Sequence, residues 1–134
     1  DARKLGYAAY LELGFEAISE TDGDCYARCR VRIREIHQSF DLLRQTVDKM
    51  PAGAVSVPVK GNPSGEHMSR LEQPRGEVGY YIKGDGKPNL GRFRVRTPTF
   101  ANIPALIHML KGCDLADVPI IVLTIDPCIS CAER

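Results

Sequence analysis

Two cysteines near the carboxyl end, Cys128 and Cys131, are the residues whose types and spacing most directly suggest chemistry. The Cys-x-x-Cys spacing brings two sulfur atoms close enough to share one metal ion or to form a disulfide. On the residues alone, three kinds of site fit: half of a zinc site, a redox dithiol, and a nickel or iron site.

The zinc and redox alternatives make further demands on the sequence. A structural zinc site needs two more ligands, and Cys25 and Cys29, one helical turn apart, are the candidate second pair. Cys29, however, belongs to an apolar stripe that we expect to be buried. A thioredoxin-like dithiol usually lies at the amino end of a helix, whereas the sequence predicts no helix after Cys131. Both alternatives stay open.

The other cysteines are not predicted to do chemistry. The chain has five cysteines, an odd count that argues against a closed disulfide framework. We therefore expect Cys25, Cys29 and Cys113 to be reduced, buried thiols of a cytoplasmic protein.

Two sequence blocks carry a resemblance to a known family. One is Glu72-Gln73-Pro74-Arg75-Gly76-Glu77, and the other is Asp126-Pro127-Cys128-Ile129-Ser130-Cys131, followed by Arg134. They resemble the E-x-P-R-G-E segment and the carboxyl-terminal signature of NiFe hydrogenase large subunits. More narrowly, they resemble energy-converting hydrogenases related to formate hydrogenlyase, where Arg is typical at the position of Arg134. The chain also resembles the homologous quinone-side subunit of respiratory complex I, which has lost the cysteines and usually has Lys in place of Arg75.

The resemblance implies a metal site. In the family, four cysteine thiolates hold nickel, and two of them bridge to an iron that carries CN and CO ligands, a Ni–Fe(CN)2(CO) centre. Cys128 matches the terminal nickel ligand and Cys131 the bridging one. Soft thiolates suit nickel and low-spin iron, and a terminal thiolate can accept a proton when H2 splits heterolytically.

The resemblance also implies a charged canopy above the open metal position, formed by Pro74, Arg75 and Asp126. Arg75 is always protonated in water, so we expect an electrostatic role, either stabilising negative charge or orienting the diatomic ligands. The alternative for Arg75 is a plain salt bridge to Glu72 or Asp126. Glu72 and Glu77 are candidates for structural or proton-path roles.

The family's other cysteine pair, in an R-x-C-G-x-C block, has no counterpart in this sequence. We therefore expect the chain alone to bind neither metal and to be inactive. Because it opens on Asp1 without Met, we expect an excised or processed piece; a split subunit and a non-catalytic paralogue are the alternatives.

Expected partners are the missing amino-terminal part of the large subunit, an iron–sulfur small subunit and, indirectly, membrane ion-pumping subunits on the cytoplasmic side. Alone, the chain would expose core surface, which favours a homodimer.

A long amphipathic helix is predicted from about Asp24 to Met50, with Thr21 and Asp22 as candidate caps. Its apolar residues form one stripe, expected to be buried: Tyr26, Cys29, Ile33, Ile36, Phe40, Leu43 and Val47. The opposite face carries four arginines and is expected to be solvated or to dock a partner: Arg28, Arg30, Arg32 and Arg34. His37 is expected to be an ordinary surface or core-edge histidine rather than a ligand.

The rest of the chain divides into three predicted segments. Residues 52–71 are a Gly-, Pro- and Ser-rich connector, with an edge strand suggested at residues 55–59. Residues 72–97 are a β-hairpin with strands at Glu77–Lys83 and Arg92–Arg96.

Residues 98–134 are helical and carry the cysteine tail. Phe100–Lys111 shows helical spacing with Pro104 in the first turn. For Val118–Ile125 the residues favour strand and helix equally, and the resemblance favours helix. His108 is expected to be packed, and nothing ties His67 to the metals.

The predicted fold class is α+β, one portion (residues 1–134) of a mainly helical large-subunit fold. Hydrophobic residues make up 43% of the sequence, as in ordinary globular domains. The net charge of +1 predicts no general attraction to nucleic acid or membrane. No apolar run approaches the roughly 20 residues of a membrane span.

Overall fold

The computed structural model describes residues 1–133. Arg134, which was matched to the family's carboxyl-terminal signature, lies outside the described residues. After a 3-10 turn at Ala2–Leu5, the elements are α1 (Cys25–Lys49), β1 (Ser64–Gln73), β2 (Gly76–Asp85), β3 (Arg92–Arg96), α2 (Pro98–Met109), α3 (Val118–Thr124) and α4 (Ile129–Ala132). The α+β class is confirmed.

Helix α1 forms where the apolar spacing predicts it, but its cap differs from the prediction. The Asp24 carboxylate accepts a 2.7 Å hydrogen bond from Ala27 N, so Asp24 caps the helix rather than Thr21 or Asp22. Asp24 has the extended backbone that an N-cap needs. The helix ends before Met50, whose extended backbone precedes Pro51. No helix of residues 1–133 is long and apolar enough to cross a membrane.

The side of α1 that faces the rest of the chain was predicted wrongly. The stripe expected to be buried is exposed: Tyr26 is 70% and Val47 68% accessible, and Cys29 is exposed too. The buried residues of the helix are Ala27 and Leu42. Periodicity identified a stripe, but it could not show that nothing within residues 1–133 covers it.

The sheet has one strand more than the predicted hairpin. Strands β1, β2 and β3 are antiparallel in that order, with Leu71 opposite Val78 and Lys83 opposite Arg92. Strand β1 takes in the end of the predicted connector, residues 64–71. This polar and largely exposed sequence is held in a strand because it pairs with β2. The suggested edge strand at residues 55–59 does not form, and Val55 is fully exposed.

The tight connection between β1 and β2 presents Pro74 and Arg75 at a hairpin tip. Strand β1 ends at Gln73 and β2 begins at Gly76, so these two residues are the whole loop. Gly76 has φ +126°, and a Cβ there would lie 3.3 Å from the Pro98 Cβ. Only glycine suits this backbone and this close approach to α2.

The carboxyl-terminal third is helical, as predicted, with two corrections. Helix α2 begins at Pro98 after Thr97, so Pro98 rather than Pro104 occupies the first turn, and Pro104 lies inside the helix. Helix α3 covers Val118–Thr124, and the one-turn α4 follows Cys128, where no helix was expected.

Most of the buried residues form a cluster where the β1–β2 hairpin, α2 and α3 meet, whereas Ala2, Leu13, Ala27 and Leu42 are buried in the amino-terminal segment and on α1. Val78 and Pro98 are the largest fully buried side chains, and the cluster also contains Thr97, Thr99, Ile121, Thr124 and Ile125. It therefore lies directly beneath the loops that carry the candidate site. The three histidines lie outside it: His37, His67 and His108 are exposed, so the expectation of a packed His108 was wrong.

Candidate metal centre

The cysteine pair lies on one tight turn. Cys128 is the N-cap of α4, and its carbonyl accepts hydrogen bonds from Cys131 N at 3.1 Å and Ala132 N at 3.0 Å. This turn holds both thiols on the same short segment. Both are free and partly exposed. The arrangement can offer two sulfur ligands to one ion.

Two buried threonines at the start of α2 anchor the cysteine turn. The Thr97 hydroxyl donates a 2.6 Å hydrogen bond to the Cys131 carbonyl, and Cys128 N donates a 3.1 Å bond to the Thr99 hydroxyl. Thr97 and Thr99 are 6% and 3% exposed. Sequence reasoning missed both. Two hydroxyl residues flanking a helix-starting proline were the signal that could have found them.

The start of α2 also holds the hairpin tip. Asn102 Nδ2 donates a 3.2 Å hydrogen bond to the Arg75 carbonyl. The same helix end therefore connects the Pro74-Arg75 loop to the cysteine turn. The structure brings Arg75, Cys128 and Cys131 into one region, since the start of α2 is hydrogen-bonded to the backbone of all three.

The Arg75 guanidinium has an unused donor. Its Nε is buried and has no hydrogen-bond partner in residues 1–133. The predicted alternative, a salt bridge to Glu72 or Asp126, does not form: Glu72 accepts a 2.8 Å bond from Ala2 N, and Asp126 faces Arg32. A buried, unsatisfied donor of a cation is costly. This donor is free to bind a group from outside the described chain.

Asp126 is held in an uncommon conformation. Its φ is +52°, the left-handed region, which is costly for a residue other than glycine. Its N–H donates a 2.9 Å hydrogen bond to the Leu123 carbonyl, which closes the end of α3. Its carboxylate lies 3.7 Å from Arg32 Nη1. This bend turns the chain from α3 into the cysteine segment.

The four arginines between positions 28 and 34 of α1 form two pairs rather than one solvated face. Arg28 Nε donates to the Thr124 hydroxyl and Arg32 Nη2 to the Thr124 carbonyl, both at 2.9 Å. Arg30 and Arg34 instead pair with Glu20, at 3.2 and 2.6 Å. The pair formed by Arg28 and Arg32 therefore belongs to the site region, which sequence reasoning did not anticipate.

The two glutamates considered as proton-path candidates have structural contacts. Glu72 N donates a 2.8 Å hydrogen bond to the Tyr7 hydroxyl, in addition to the bond from Ala2 N. Glu77 forms ion pairs with Arg70 and, at 3.4 Å, with Arg96 on the sheet. Glu72 therefore ties β1 to the amino-terminal segment, and Glu77 ties β2 to β1 and β3.

The two thiols differ in acidity. Hydrogen bonding with Ser130 Oγ at 3.1 Å, and then with Cys131, lowers the pKa of Cys128 from 9.0 to about 7. Desolvation, followed by the hydrogen bond with Cys128 and its charge, raises the pKa of Cys131. At neutral pH about half of the Cys128 thiol is therefore ionised, and a thiolate is the form that binds metals.

Alkylation of the folded chain by iodoacetamide checks this difference. We expect the rate at Cys128 to rise with pH around a midpoint of about 7, because only the thiolate reacts. The midpoint for alkylation of Cys131 should lie above the ordinary thiol value of 9.0, because its pKa is raised. Peptide-resolved mass spectrometry separates the two sites.

A matched variant isolates the cause. Ser130→Ala removes the hydrogen bond that contributes most to the lowered pKa of Cys128, so its midpoint should move upward. Equal midpoints for the two thiols in the unmodified chain would contradict the assignment.

The donor set of the described chain is incomplete for a metal. Within residues 1–133, no three His, Cys, Asp or Glu side chains are placed to hold an ion. Cys25 and Cys29 therefore do not complete a zinc site with the tail pair. Cys25 instead accepts a 3.2 Å hydrogen bond from Arg28. Two thiols on one turn, with an unused arginine donor nearby, fit half of a four-thiolate site.

Comparison with known proteins shows one family across the whole chain. Residues 1–61 and 58–134 match the family described as the 49 Kd subunit of respiratory-chain NADH dehydrogenase. The carbon monoxide-induced hydrogenase of Rhodospirillum rubrum is 43% identical over 100% of this chain and 38% of its own length. A subunit of the NADH-quinone oxidoreductase of Herpetosiphon aurantiacus is 38% identical over 94% of this chain and 36% of its own.

Two further relatives belong to membrane complexes. The alpha subunit of the membrane-bound hydrogenase of Pyrococcus furiosus is 36% identical over 93% of this chain and 33% of its own length. A polypeptide in the structure of the membrane-bound sulfane sulfur reductase, an archaeal respiratory membrane complex, superposes with a TM-score of 0.90 and 32% identity, over 100% of this chain and 39% of that one. The chain thus spans between a third and two-fifths of the length of these relatives.

Proposed function

The chain belongs to the family of the 49 Kd subunit of respiratory-chain NADH dehydrogenase, and from this membership we propose that it is part of the catalytic large subunit of a NiFe hydrogenase. In this proposal it supplies Cys128 and Cys131 as two of four thiolate ligands to a nickel–iron centre. The observation that carries the proposal is the turn that presents both free thiols, fixed by Thr97 and Thr99.

The relatives are oxidoreductases of two kinds, hydrogenases and quinone oxidoreductase subunits. The cysteine pair favours the first kind, because a subunit that only contacts a quinone has no use for two thiols on one turn. The pKa of about 7 at Cys128 favours it as well, since a metal ligand must be deprotonated.

The residues fit the cofactor as half of its protein environment. When bound, the nickel–iron group would supply the electron-rich metal at which H2 is activated. Cys128 and Cys131 would hold it through sulfur, and the Cys128 sulfur is an atom that can accept a proton.

Arg75 would act next to these sulfurs. Its buried Nε–H has no partner in residues 1–133 and can donate to a ligand of the group or stabilise developing negative charge. Pro74 limits the freedom of the two-residue loop, and Asp126 adds a carboxylate that lies 3.7 Å from the Arg32 guanidinium.

The exposed stripe of α1 fits a partner surface. Six large hydrophobic side chains of the helix are more than half exposed on it: Tyr26, Ile33, Ile36, Phe40, Leu43 and Val47. We propose that the remainder of the large subunit, which carries the other cysteine pair, covers this stripe. The iron–sulfur small subunit would bind the assembled large subunit, and the membrane subunits would join indirectly. The assembled subunits would lie peripherally on the cytoplasmic side of the membrane. An isolated chain would bury the stripe in a homodimer.

The second candidate is a subunit that acts in quinone reduction like its complex I relatives. It is favoured by a cavity of about 420 Å³ whose lining includes both apolar and charged side chains, among them Tyr10, Ile36, Phe40, Leu43, Arg32 and Asp126. Such a mixture of aromatic and polar walls suits a ring with hydrogen-bonding oxygens.

The experiment that separates the two candidates uses the complete protein matured in a host that assembles nickel enzymes. We expect stoichiometric nickel by elemental analysis and H2-dependent reduction of a viologen dye. A preparation without nickel that still supports quinone reduction in its complex would overturn the hydrogenase proposal in favour of the second. Zinc in place of nickel would restore the structural-zinc alternative.

A further inference from the structure

We infer that Arg32 is a positioning residue, whose guanidinium fixes the Pro74-Arg75 loop and Asp126 relative to each other above the cysteine turn. The inference rests on the proposed function and adds to it a residue of α1, far from either sequence block. Arg32 is not itself placed against the metals. It would act through the two segments that it joins.

The contacts of Arg32 reach three separate places. Nη2 donates a 2.9 Å hydrogen bond to the Thr124 carbonyl, 92 residues away in sequence. Nη1 lies 3.5 Å from the Pro74 carbonyl and 3.7 Å from Asp126 Oδ2. One planar group therefore spans the hairpin tip, the end of α3 and the bend that leads to Cys128.

These contacts require the shape of arginine. A guanidinium offers hydrogen-bond donors in a fixed plane, so its two edges can donate to two segments at once, whereas an ammonium is a single point charge. The Arg32 side chain is two-thirds buried, at 33% exposure. A buried cation is tolerated only with good partners. Nη1 and Nη2 of Arg32 contact two carbonyls and the Asp126 carboxylate, while its Nε is buried without a hydrogen-bond partner in residues 1–133.

Asp126 depends on this contact for its orientation. Its backbone is strained at φ +52°, and its side chain is 48% exposed, so neighbouring atoms do not confine it. Within residues 1–133 its ion pair is with Arg32. Without that pair, the carboxylate can rotate into solvent.

The rest of the region does not depend on Arg32 for folding. Arg28 independently holds the Thr124 hydroxyl, and Thr97 and Thr99 hold the cysteine turn. Arg32 also borders a cavity of about 240 Å³ that is lined by residues of α1 together with Arg75 and Gly76. A shorter side chain at position 32 would leave space for water rather than collapse the site. The nickel ligands should therefore survive its replacement.

The test uses the complete, matured subunit in its complex, with Arg32→Lys and Arg32→Met beside Arg34→Lys and Arg34→Met. Arg34 lies on the same helix but pairs with Glu20, so its variants match the change in charge and volume away from the site. Nickel content, kcat, KM for H2 and the infrared bands of the CO and CN ligands are measured for all variants.

We expect Arg32→Met to retain nickel, to lose roughly 10- to 100-fold in kcat with little change in KM, and to shift the infrared bands, because a misplaced group costs turnover more than binding. Arg32→Lys should fall between Arg32→Met and the unmodified enzyme, and both Arg34 variants should behave like the unmodified enzyme.

Two results would overturn the inference: unchanged kcat and infrared bands in Arg32→Met, or loss of nickel in the milder Arg32→Lys, which would indicate a purely structural role. Absence of nickel and of CO and CN bands from the unmodified enzyme would instead overturn the proposed function. The two failures are therefore distinguishable.

Discussion

Replacement of either Cys128 or Cys131 by serine in the complete subunit is expected to abolish nickel retention. A hydroxyl is a hard, weakly acidic donor, and it cannot replace a soft thiolate as a ligand for nickel or low-spin iron. We expect H2-dependent dye reduction to fall by more than the roughly 10- to 100-fold that loss of an outer-shell partner costs in metal sites. Elemental analysis and the dye assay on the purified complex measure both effects.

The structure separates this effect from misfolding. The bonds that fix the turn use the backbone of Cys128 and Cys131 with Thr99 and Thr97, and serine leaves these backbone groups in place. The thermal unfolding midpoint of the isolated chain should therefore change little.

Two cysteines outside the site provide the controls. Cys29→Ser and Cys113→Ser change a thiol that lies on α1 or after α2 and should leave nickel content intact. If a Cys128→Ser or Cys131→Ser enzyme were to hold nickel and turn over H2, the assignment of these sulfurs as ligands would be wrong.

The parts of the fold that sequence reasoning predicted correctly are determined by short-range signals. The 25-residue helix α1 has regular apolar spacing and a strong cap. The strands that became β2 and β3 alternate and flank a run of turn residues. Helix α3 was undecided on its residues and was assigned through the family resemblance.

The errors arose where long-range contacts decide the structure. Strand β1 is polar and largely exposed, and it becomes a strand because β2 offers a paired edge. The α1 stripe is apolar, yet its burial depends on a surface that residues 1–133 do not supply. Amphipathic spacing specifies a face, and tertiary contacts specify what covers that face.

The candidate site was predictable in its ligands and unpredictable in its supports. Cys128, Cys131 and the Pro74-Arg75 loop follow from two local sequence blocks. Thr97, Thr99, Arg28 and Arg32 reach the site by contacts that span between 29 and 96 residues of sequence. The two hydroxyl residues flanking Pro98 could have pointed to Thr97 and Thr99, but no periodicity or motif predicts the contacts of the two arginines. The arginines in particular gave the pattern of a solvated helix face.

Replacement of Arg75 is the second change with a large expected effect, and its reason lies in the buried Nε, which has no hydrogen-bond partner in residues 1–133. A buried cationic donor without a partner destabilises the fold, so its presence at a hairpin tip is better explained by a ligand than by stability. The loop geometry itself uses only the Arg75 backbone, through Asn102. Arg75→Gln should therefore fold and retain nickel.

We expect Arg75→Gln to lose roughly 100- to 1000-fold in kcat, the size of effect seen when one preorganised donor to developing charge is removed. Arg75→Lys should lose less, since it keeps the charge without the planar donors. The pKa of both thiols should also rise, because the Arg75 charge lowers each of them. The alkylation profile of the folded chain would report this without any metal present.

Arg70 provides the control on the same hairpin, because it is a cation whose pairing with Glu77 is already satisfied on the sheet. Arg70→Gln should leave turnover and thiol reactivity near those of the unmodified protein. Full turnover in Arg75→Gln would show that Arg75 does not stabilise charge that develops in the reaction. Loss of nickel together with an unchanged alkylation profile would assign Arg75 to assembly of the centre instead. The two readouts together thus distinguish an electrostatic role from a role in maturation, which turnover alone cannot do.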